Sequence, residues 1–468
     1  MRLGRRITER LRASSGRVTV LIAALTFAST LIIRVRGIST HFWLLRDQIR
    51  DWSIVLGPFG DLPLVGPATH VGGYTIGPAF YWILWAMRVS VGPWFENLPH
   101  AGGIGQAMLQ SGADALLLVA IWRRTGSIWI ALTTIVLVAT ASYDLSLAAL
   151  VWNPTMGTAL AKIATALVLL DWHRLSAARV AILATLAWSA VHAYTGAIFV
   201  TVGVFAAMVA DPGARGEWRT VRRNALLIAI AVALLQVPYV VHQFSNQFGD
   251  RAMAAVSGSL ARVFTGSDQP QLAKSVSGYA GAFHFIETSP LSVPLPVAGW
   301  ALLVCCGIVA IRYRRDVSLL SVALLPQAAA IVGYALFLDD LDHYYFLSLM
   351  PAAVLTVVLA ATGVPSPRFA RRVSIVLLIA ALAAVPGRIR FAATMHRMPQ
   401  YAVLVDAAQR IQKRQQPMRT VRTDFRLPPT SNVQYLYEML GGRIDHASPW
   451  SAVISSDGSV AYRFVKGS

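Results

Sequence analysis

The chain has 468 residues, 56% hydrophobic and only 13% charged, and its mean hydropathy of +0.56 excludes an ordinary soluble globular protein. Lys and Arg number 41 against 22 Asp and Glu, a net +19; in so apolar a chain this points to cytoplasmic loops and lipid headgroups, not nucleic acid. The only two cysteines, Cys305 and Cys306, sit side by side in an apolar run, which leaves no material for a disulfide framework or a thiolate zinc site.

The basic N-terminus runs into an apolar segment from Val18 to Ile33 with no small-residue cleavage site, so it reads as a retained first span with a cytoplasmic N-terminus. Ten further stretches of bilayer length follow, near 104–122, 126–143, 155–171, 177–191, 195–211, 222–242, 294–312, 316–337, 343–362 and 371–387. That gives about eleven transmembrane helices, an all-α polytopic membrane module over residues 1–387. Segment 75–92 is apolar but broken by Pro78 and Arg88. Charge decides its placement. If it does not cross, the loops with Arg123 and Arg124, Arg174 and Arg179, Arg215 to Arg223, Arg312 to Arg315 and Arg368 to Arg372 all fall on the cytoplasmic side. The short connections Asp144 to Pro154, His192 to Tyr194 and Leu338 to His343 then face outward without a single Lys or Arg. Segment 75–92 is therefore expected as a juxtamembrane or re-entrant helix on the outer face.

Three outer elements remain: residues 35–103, residues 244–293 and the tail 388–468. The tail alternates a helical stretch (Tyr401 to Arg414), a strand (Arg419 to Phe425), a second helix (Asn432 to Leu440) and a hairpin-like end turning at Ser456-Asp457-Gly458, the pattern of a small extracytoplasmic α/β domain. It carries 12 Lys and Arg against five acids, which suits a surface near anionic lipid or a phosphate-rich acceptor, or a plain soluble cap. No nucleotide-cradling loop occurs, so ATP-driven chemistry is unsupported.

The first outer loop carries Asp47 and Asp51, four residues apart, with Arg46 and Arg50 beside them and apolar residues to seat in the interface if His41 to Leu56 is helical. Ten glycines and prolines between Gly57 and Pro78 then impose an irregular path. The bland alternative is a solvated helix face followed by a loop. A short basic N-terminus, one span, an outer loop with an acidic motif, a GP-x-x-G pattern and GPAFYWIL together resemble the GT-C superfamily of polyprenyl-phosphate-dependent membrane glycosyltransferases. Protein O-mannosyltransferases, lipid A aminoarabinose transferases and oligosaccharyltransferase catalytic subunits are relatives of this kind. The resemblance implies an essential acid early in this loop, matched by Asp47. Gln48 stands where a second acid is common, which leaves Asp51, or Asp144 on the next outer connection, to serve if two carboxylates are needed.

That resemblance implies transfer of a sugar from a polyprenyl-phosphate donor to a glycan, lipid or protein acceptor on the outer side of a bacterial-type plasma membrane. Such a reaction needs a carboxylate to take the acceptor proton and cations to stabilise the departing phosphate. Asp47 is the expected base, with Asp51 and Asp144 as the other catalytic candidates. Arg46, Arg50 and Arg88 are candidates for the phosphate, against the alternative of headgroup snorkelling. His343 and Tyr345, entering the tenth span from outside, are carried over to the same role, against an aromatic belt. His70, Tyr74, Trp152, His192 and Tyr194 are candidate substrate contacts, although Asn153 and Pro154 give the Trp152 turn a complete structural reading as a helix start. A divalent cation at the acids of LDDLDH is a further candidate without defined geometry, and no other cofactor is expected. Asp114 and Lys162, both inside the membrane, are expected to pair with each other, and the long segment 244–293 to act as a lid. The competing function is a lipid-linked-sugar flippase or transporter, which would place ionisable groups along a path through the bilayer, often with repeat symmetry.

Overall fold

A computed structural model of the chain describes residues 2–69, 72–170, 175–281, 295–337, 343–363, 366–395, 397–428 and 431–464. In chain order its helices are α1 (Arg2–Val35), α2 (Ile38–His41), α3 (Arg46–Ile54), α4 (Ala79–Ser90), α5 (Pro99–Thr125), α6 (Ile128–Ala139), α7 (Ser142–Leu147), α8 (Asn153–Leu170), α9 (Ala177–Ala193) and α10 (Ile198–Ala214). Then come α11 (Trp218–Ser245), α12 (Arg251–Phe264), α13 (Leu272–Gly281), α14 (Leu295–Arg312), α15 (Val317–Ala323), α16 (Leu325–Leu336), α17 (Met350–Thr362) and α18 (Pro367–Thr394). The tail adds α19 (Tyr401–Gln412), β1 (Thr420–Thr423), α20 (Val433–Met439), β2 (Trp450–Ile454) and β3 (Val460–Phe464).

The protein is a mostly helical, multi-pass membrane protein. Seven helical segments among the described residues are long and apolar enough to cross a bilayer: those containing α1, α5, α10, α11, α15 with α16, α17 and α18. The other four expected spans are the shorter helices α6, α8, α9 and α14. α5 lies at the centre, packed on α1, α6 and α8, and α8 in turn packs on α9. α1, α11 and α18 are peripheral and turn Leu25, Ile32, Leu226, Leu234, Val376 and Ile379 outward, as a lipid-facing stripe requires. α4 has only twelve residues, about 18 Å at the usual rise against about 30 Å of hydrocarbon. It packs on α3, α5 and α9 as a short helix.

The connections sort to two ends of the bundle, as the arginine pattern requires. At one end Arg124 pairs with Asp316, Arg371 lies 5.7 Å over the Trp129 ring, and Arg223 donates to the Leu175 carbonyl at 2.8 Å. At the other end the Trp152 and Tyr344 rings lie 5.0 Å apart, the Tyr194 hydroxyl donates to the Tyr344 carbonyl, and the first outer loop seats on the end of α9.

In the tail β1 pairs parallel with β2, and β2 antiparallel with β3. Gly458 closes the expected turn at φ 84°, a conformation open to glycine. The membrane helix α18 runs to Thr394, beyond the expected boundary at 387, and past that boundary it is still held in the bundle: Arg388 is buried and donates to the Thr140 hydroxyl at 2.9 Å.

Candidate functional site

α3 begins at Arg46, not at His41 as the sequence suggested. Residues 42–45 are instead drawn into extended pairing with the tail: Phe42 bridges Arg397 and Leu45 bridges Ser431. The Met398 amide donates to the His41 carbonyl at 3.0 Å, and the Phe42 and Tyr401 rings lie 5.3 Å apart, tilted by 59°. The C-terminal domain thus grips the strand that leads into the acidic helix. Arg46 lies 5.9 Å over the Tyr435 ring of α20.

Within α3 the two acids separate by burial. The Asp47 side chain is 52% exposed, whereas Asp51 is 3% exposed. Arg50 bridges them: Nη1 donates to Asp47 Oδ1 at 2.9 Å, and Nε donates to Asp51 Oδ1 at 2.9 Å. The Tyr81 hydroxyl of α4 donates to the same Asp51 oxygen at 3.0 Å. Burial pushes the Asp51 carboxyl up to about 6, the Arg50 charge and the Tyr81 hydrogen bond opposing it. The Tyr81 phenol is raised by burial and by the Asp51 charge.

Gln48 is fully buried, which explains why the second acid is missing there. Its Nε2 donates to the Trp43 carbonyl at 2.9 Å, and its Oε1 accepts from the Val151 amide at 2.7 Å. An ionised carboxylate has no donor for the first bond. Gln48 therefore ties α3 to the connection carrying Trp152. Trp52, also buried, donates to the Asn97 carbonyl.

The remaining candidates divide. Arg88 is half-buried and donates to the Leu56 carbonyl at 2.9 Å, closing the loop between α3 and α4. Tyr74 is exposed, its ring 5.8 Å from that of His242 at the end of α11. Gly73, at φ 73°, abuts Asp250 at the start of α12, so the first outer loop touches the second. That second segment holds two helices, α12 and α13; its His284 and Glu287 lie outside the described residues. Trp152 and Tyr345 are half-buried, both beside the Tyr344 ring. Tyr194 is buried under Tyr344. His343 begins the 3-10 turn that enters α17. His70 and the acids Asp339, Asp340 and Asp342 lie outside the described residues, and no group of three metal-ligating side chains occurs among the described ones.

His192 is buried against Gly77. A Cβ on Gly77 would collide with the imidazole, whose Nε2 lies 2.6 Å from Gln236 Oε1. Gly77→Ala is expected to cost about 1–3 kcal/mol by overpacking. Thermal unfolding in detergent checks this, and Gly77→Ala combined with His192→Ala should unfold at a higher temperature than Gly77→Ala alone.

Asp144 does not stand on the open rim. It is buried with Asp114, Arg34 and Lys162 in a closed ionic cluster: Arg34 pairs with both acids, and Lys162 Nζ reaches Asp114 at 2.9 Å and Asp144 at 3.1 Å. The expected Asp114–Lys162 pair is present, but Asp144 and Arg34 complete it. Two cations and two carboxylates cancel, as buried charges must. Both Asp144 oxygens are engaged, one by Arg34 and the other by Lys162. Sequence reading missed Arg34 and Tyr81; the signal for Arg34 was a lone cation directly after the first apolar run.

No protein-family model matches the chain, and no curated protein matches it. Among solved structures it is similar to ArnT from Cupriavidus metallidurans bound to undecaprenyl phosphate, at 13% identity over 91% of this chain and 86% of that one, with a TM-score of 0.49. It is also similar to the Archaeoglobus fulgidus oligosaccharyltransferase in the apo form, at 12% identity over 92% of this chain and 64% of that one, with a TM-score of 0.49. A second structure of the latter, AglB with an inhibitory peptide and a dolichol-phosphate, is 11% identical over 94% and 70% of the two chains, with a TM-score of 0.46.

Proposed function

We propose that the protein transfers a sugar from a polyprenyl-phosphate-linked donor to a glycan, lipid or protein acceptor on the extracytoplasmic face of a plasma membrane. The observation that carries this reading is the Asp47–Arg50–Asp51 arrangement at the bundle end opposite the basic connections, joined to the resemblance of the loop that bears it. Asp47, the exposed acid, accepts the proton of the incoming hydroxyl or amine. Arg50 needs only to turn its Nη edge from Asp47 to a phosphate oxygen to stabilise the leaving group, while Asp51 retains Nε. Its pair with Asp47 is half-exposed and worth about 0–1 kcal/mol, so that exchange is inexpensive. Arg46 is the second cation in reach of an anionic headgroup.

In the reaction the acceptor heteroatom forms its bond to the anomeric carbon as the bond from that carbon to the phosphate oxygen breaks. The proton passes to Asp47, and the electron pair leaves with the polyprenyl phosphate. A flippase is less well supported: the buried charges Arg34, Asp114, Asp144 and Lys162 gather in one closed neutral cluster and are not strung along a path. The test is incubation of purified protein with labelled polyprenyl-phosphate sugars and candidate acceptors, with undecaprenyl phosphate as competitor. Label reaching an acceptor, and inhibition by the lipid phosphate, are expected; lipid-linked sugar moving between leaflets with no transfer would favour the flippase.

A further inference from the structure

We propose that Tyr81 is a positioning residue for this site: its hydroxyl fixes the buried Asp51 carboxylate, Asp51 fixes one edge of the Arg50 guanidinium, and Arg50 thereby presents its other edge at Asp47. The inference deepens the transferase reading and rests on it. A carboxylate withdrawn from water must be paired and hydrogen-bonded to remain charged. Asp51 Oδ1 has two donors, Arg50 Nε at 2.9 Å and the Tyr81 hydroxyl at 3.0 Å. Without the hydroxyl, Asp51 would compete with Asp47, the freer acceptor, for the Arg50 guanidinium while holding only one donor of its own. The hydroxyl comes from α4, a different element, so the clamp also registers α3 against α4. The Tyr81 ring is buried beside Phe80, 5.3 Å away, so the hydroxyl is carried to Asp51 on a fixed ring.

The charged and titratable surroundings are few. On α3 they are Arg46, Asp47 and Arg50. Tyr81 comes from α4 with Tyr74 close to it, and Arg88 on the same helix is turned to the Leu56 carbonyl. α5 brings His100, which bonds the Tyr401 hydroxyl, and α20 brings Tyr435, Tyr437 and Glu438, of which Tyr435 lies under Arg46. Asp51 must be ionised to hold Arg50. Its carboxyl sits at about 6, so the clamp is formed above that pH and released below it. Without the hydroxyl the charged form loses a hydrogen bond, and its titration moves further up.

Tyr81→Phe removes the oxygen and keeps the ring. In this variant the acid limb of the kcat/KM profile is expected to move up by about one unit. Activity near pH 6 then falls roughly fivefold, approaching tenfold at lower pH, and recovers on the alkaline side. A residue that served packing alone would lower the profile equally at every pH, and that result overturns the proposal. A second readout does not need turnover: the infrared carbonyl band of protonated Asp51, assigned by its absence in Asp51→Asn, should disappear as pH rises through about 6 in the wild type. It should disappear at higher pH in Tyr81→Phe. Coincident titrations refute the clamp even if the protein transfers sugar, whereas separated titrations with no transfer leave the clamp standing and sink the transferase reading. Should Tyr81→Phe fail to accumulate, 3-fluorotyrosine placed at position 81 alone takes its stead: the stronger donor should lower the Asp51 titration, and an unmoved one overturns the proposal.

Discussion

Asp47→Asn is expected to lower kcat for sugar transfer by about 10²–10⁴-fold, the usual cost of removing a general base, while the protein folds and binds donor as before. The structural basis is the unequal burial of the two acids on α3. Asp47 is open enough to receive an acceptor, and its pair with Arg50 is exposed on both sides, so the amide costs about 0–1 kcal/mol of stability. Asp51→Asn should act differently. It removes the anchor of Arg50, so the donor KM rises with the fall in kcat. Steady-state kinetics with varied donor separates the two. If Asp47→Asn kept full turnover, the base would lie elsewhere.

The second large effect concerns the closed cluster of Arg34, Asp114, Asp144 and Lys162. Lys162→Met leaves two buried carboxylates facing one arginine, and Asp144→Asn leaves two cations facing one carboxylate. Each is expected to destabilise by about 3–5 kcal/mol, the cost of an uncompensated buried charge. The double variant Asp144→Asn with Lys162→Gln keeps the cluster neutral and should lose less than either single change. Thermal unfolding in detergent gives the order. The outcome that would restore Asp144 to the catalytic residues is Asp144→Asn unfolding at the wild-type temperature with its turnover gone.

The cluster is linked to α3 by hydrogen bonds that meet at the Val151–Trp152 backbone. Lys162 donates to Gln110, Gln110 to the Thr155 carbonyl, and the Thr155 hydroxyl to Gln106. Gln106 donates to the Trp152 carbonyl, while the Val151 amide donates to Gln48 of α3. The buried charges and the exposed acid are thus parts of one scaffold, in which α5 and α8 supply the rigid elements.

Much of this architecture was legible in the sequence because its signals are local or statistical. Apolar runs of bilayer length mark the spans, and the arginines at 123–124, 312–315 and 368–372 assign the ends. The alternating helix and strand patterns after residue 400 mark the tail domain. What was not legible depends on contacts between distant segments. Residues 42–45 have helical neighbours on both sides, yet the tail at Arg397 and Ser431 pulls them extended. Asp47 and Asp51 read alike in one dimension; only the packing of α4 and the Tyr81 hydroxyl separates an exposed acid from a buried one. Asp144 follows an apolar span without a basic neighbour in sequence, and its partners Arg34 and Lys162 come from two other helices. Gln48 looked like a lost acid and is instead the tie between α3 and the Trp152 connection.

Sidedness underlies the whole account, and one labelling experiment tests it. The two native cysteines are replaced by alanine, and single cysteines are placed at the exposed positions Leu64, Asp457 and Arg314. A membrane-impermeant maleimide is then applied to intact cells. Leu64→Cys and Asp457→Cys are predicted to react from outside, and Arg314→Cys only after permeabilisation. The opposite pattern would put the Asp47 helix in the cytosol and contradict transfer on the extracytoplasmic face.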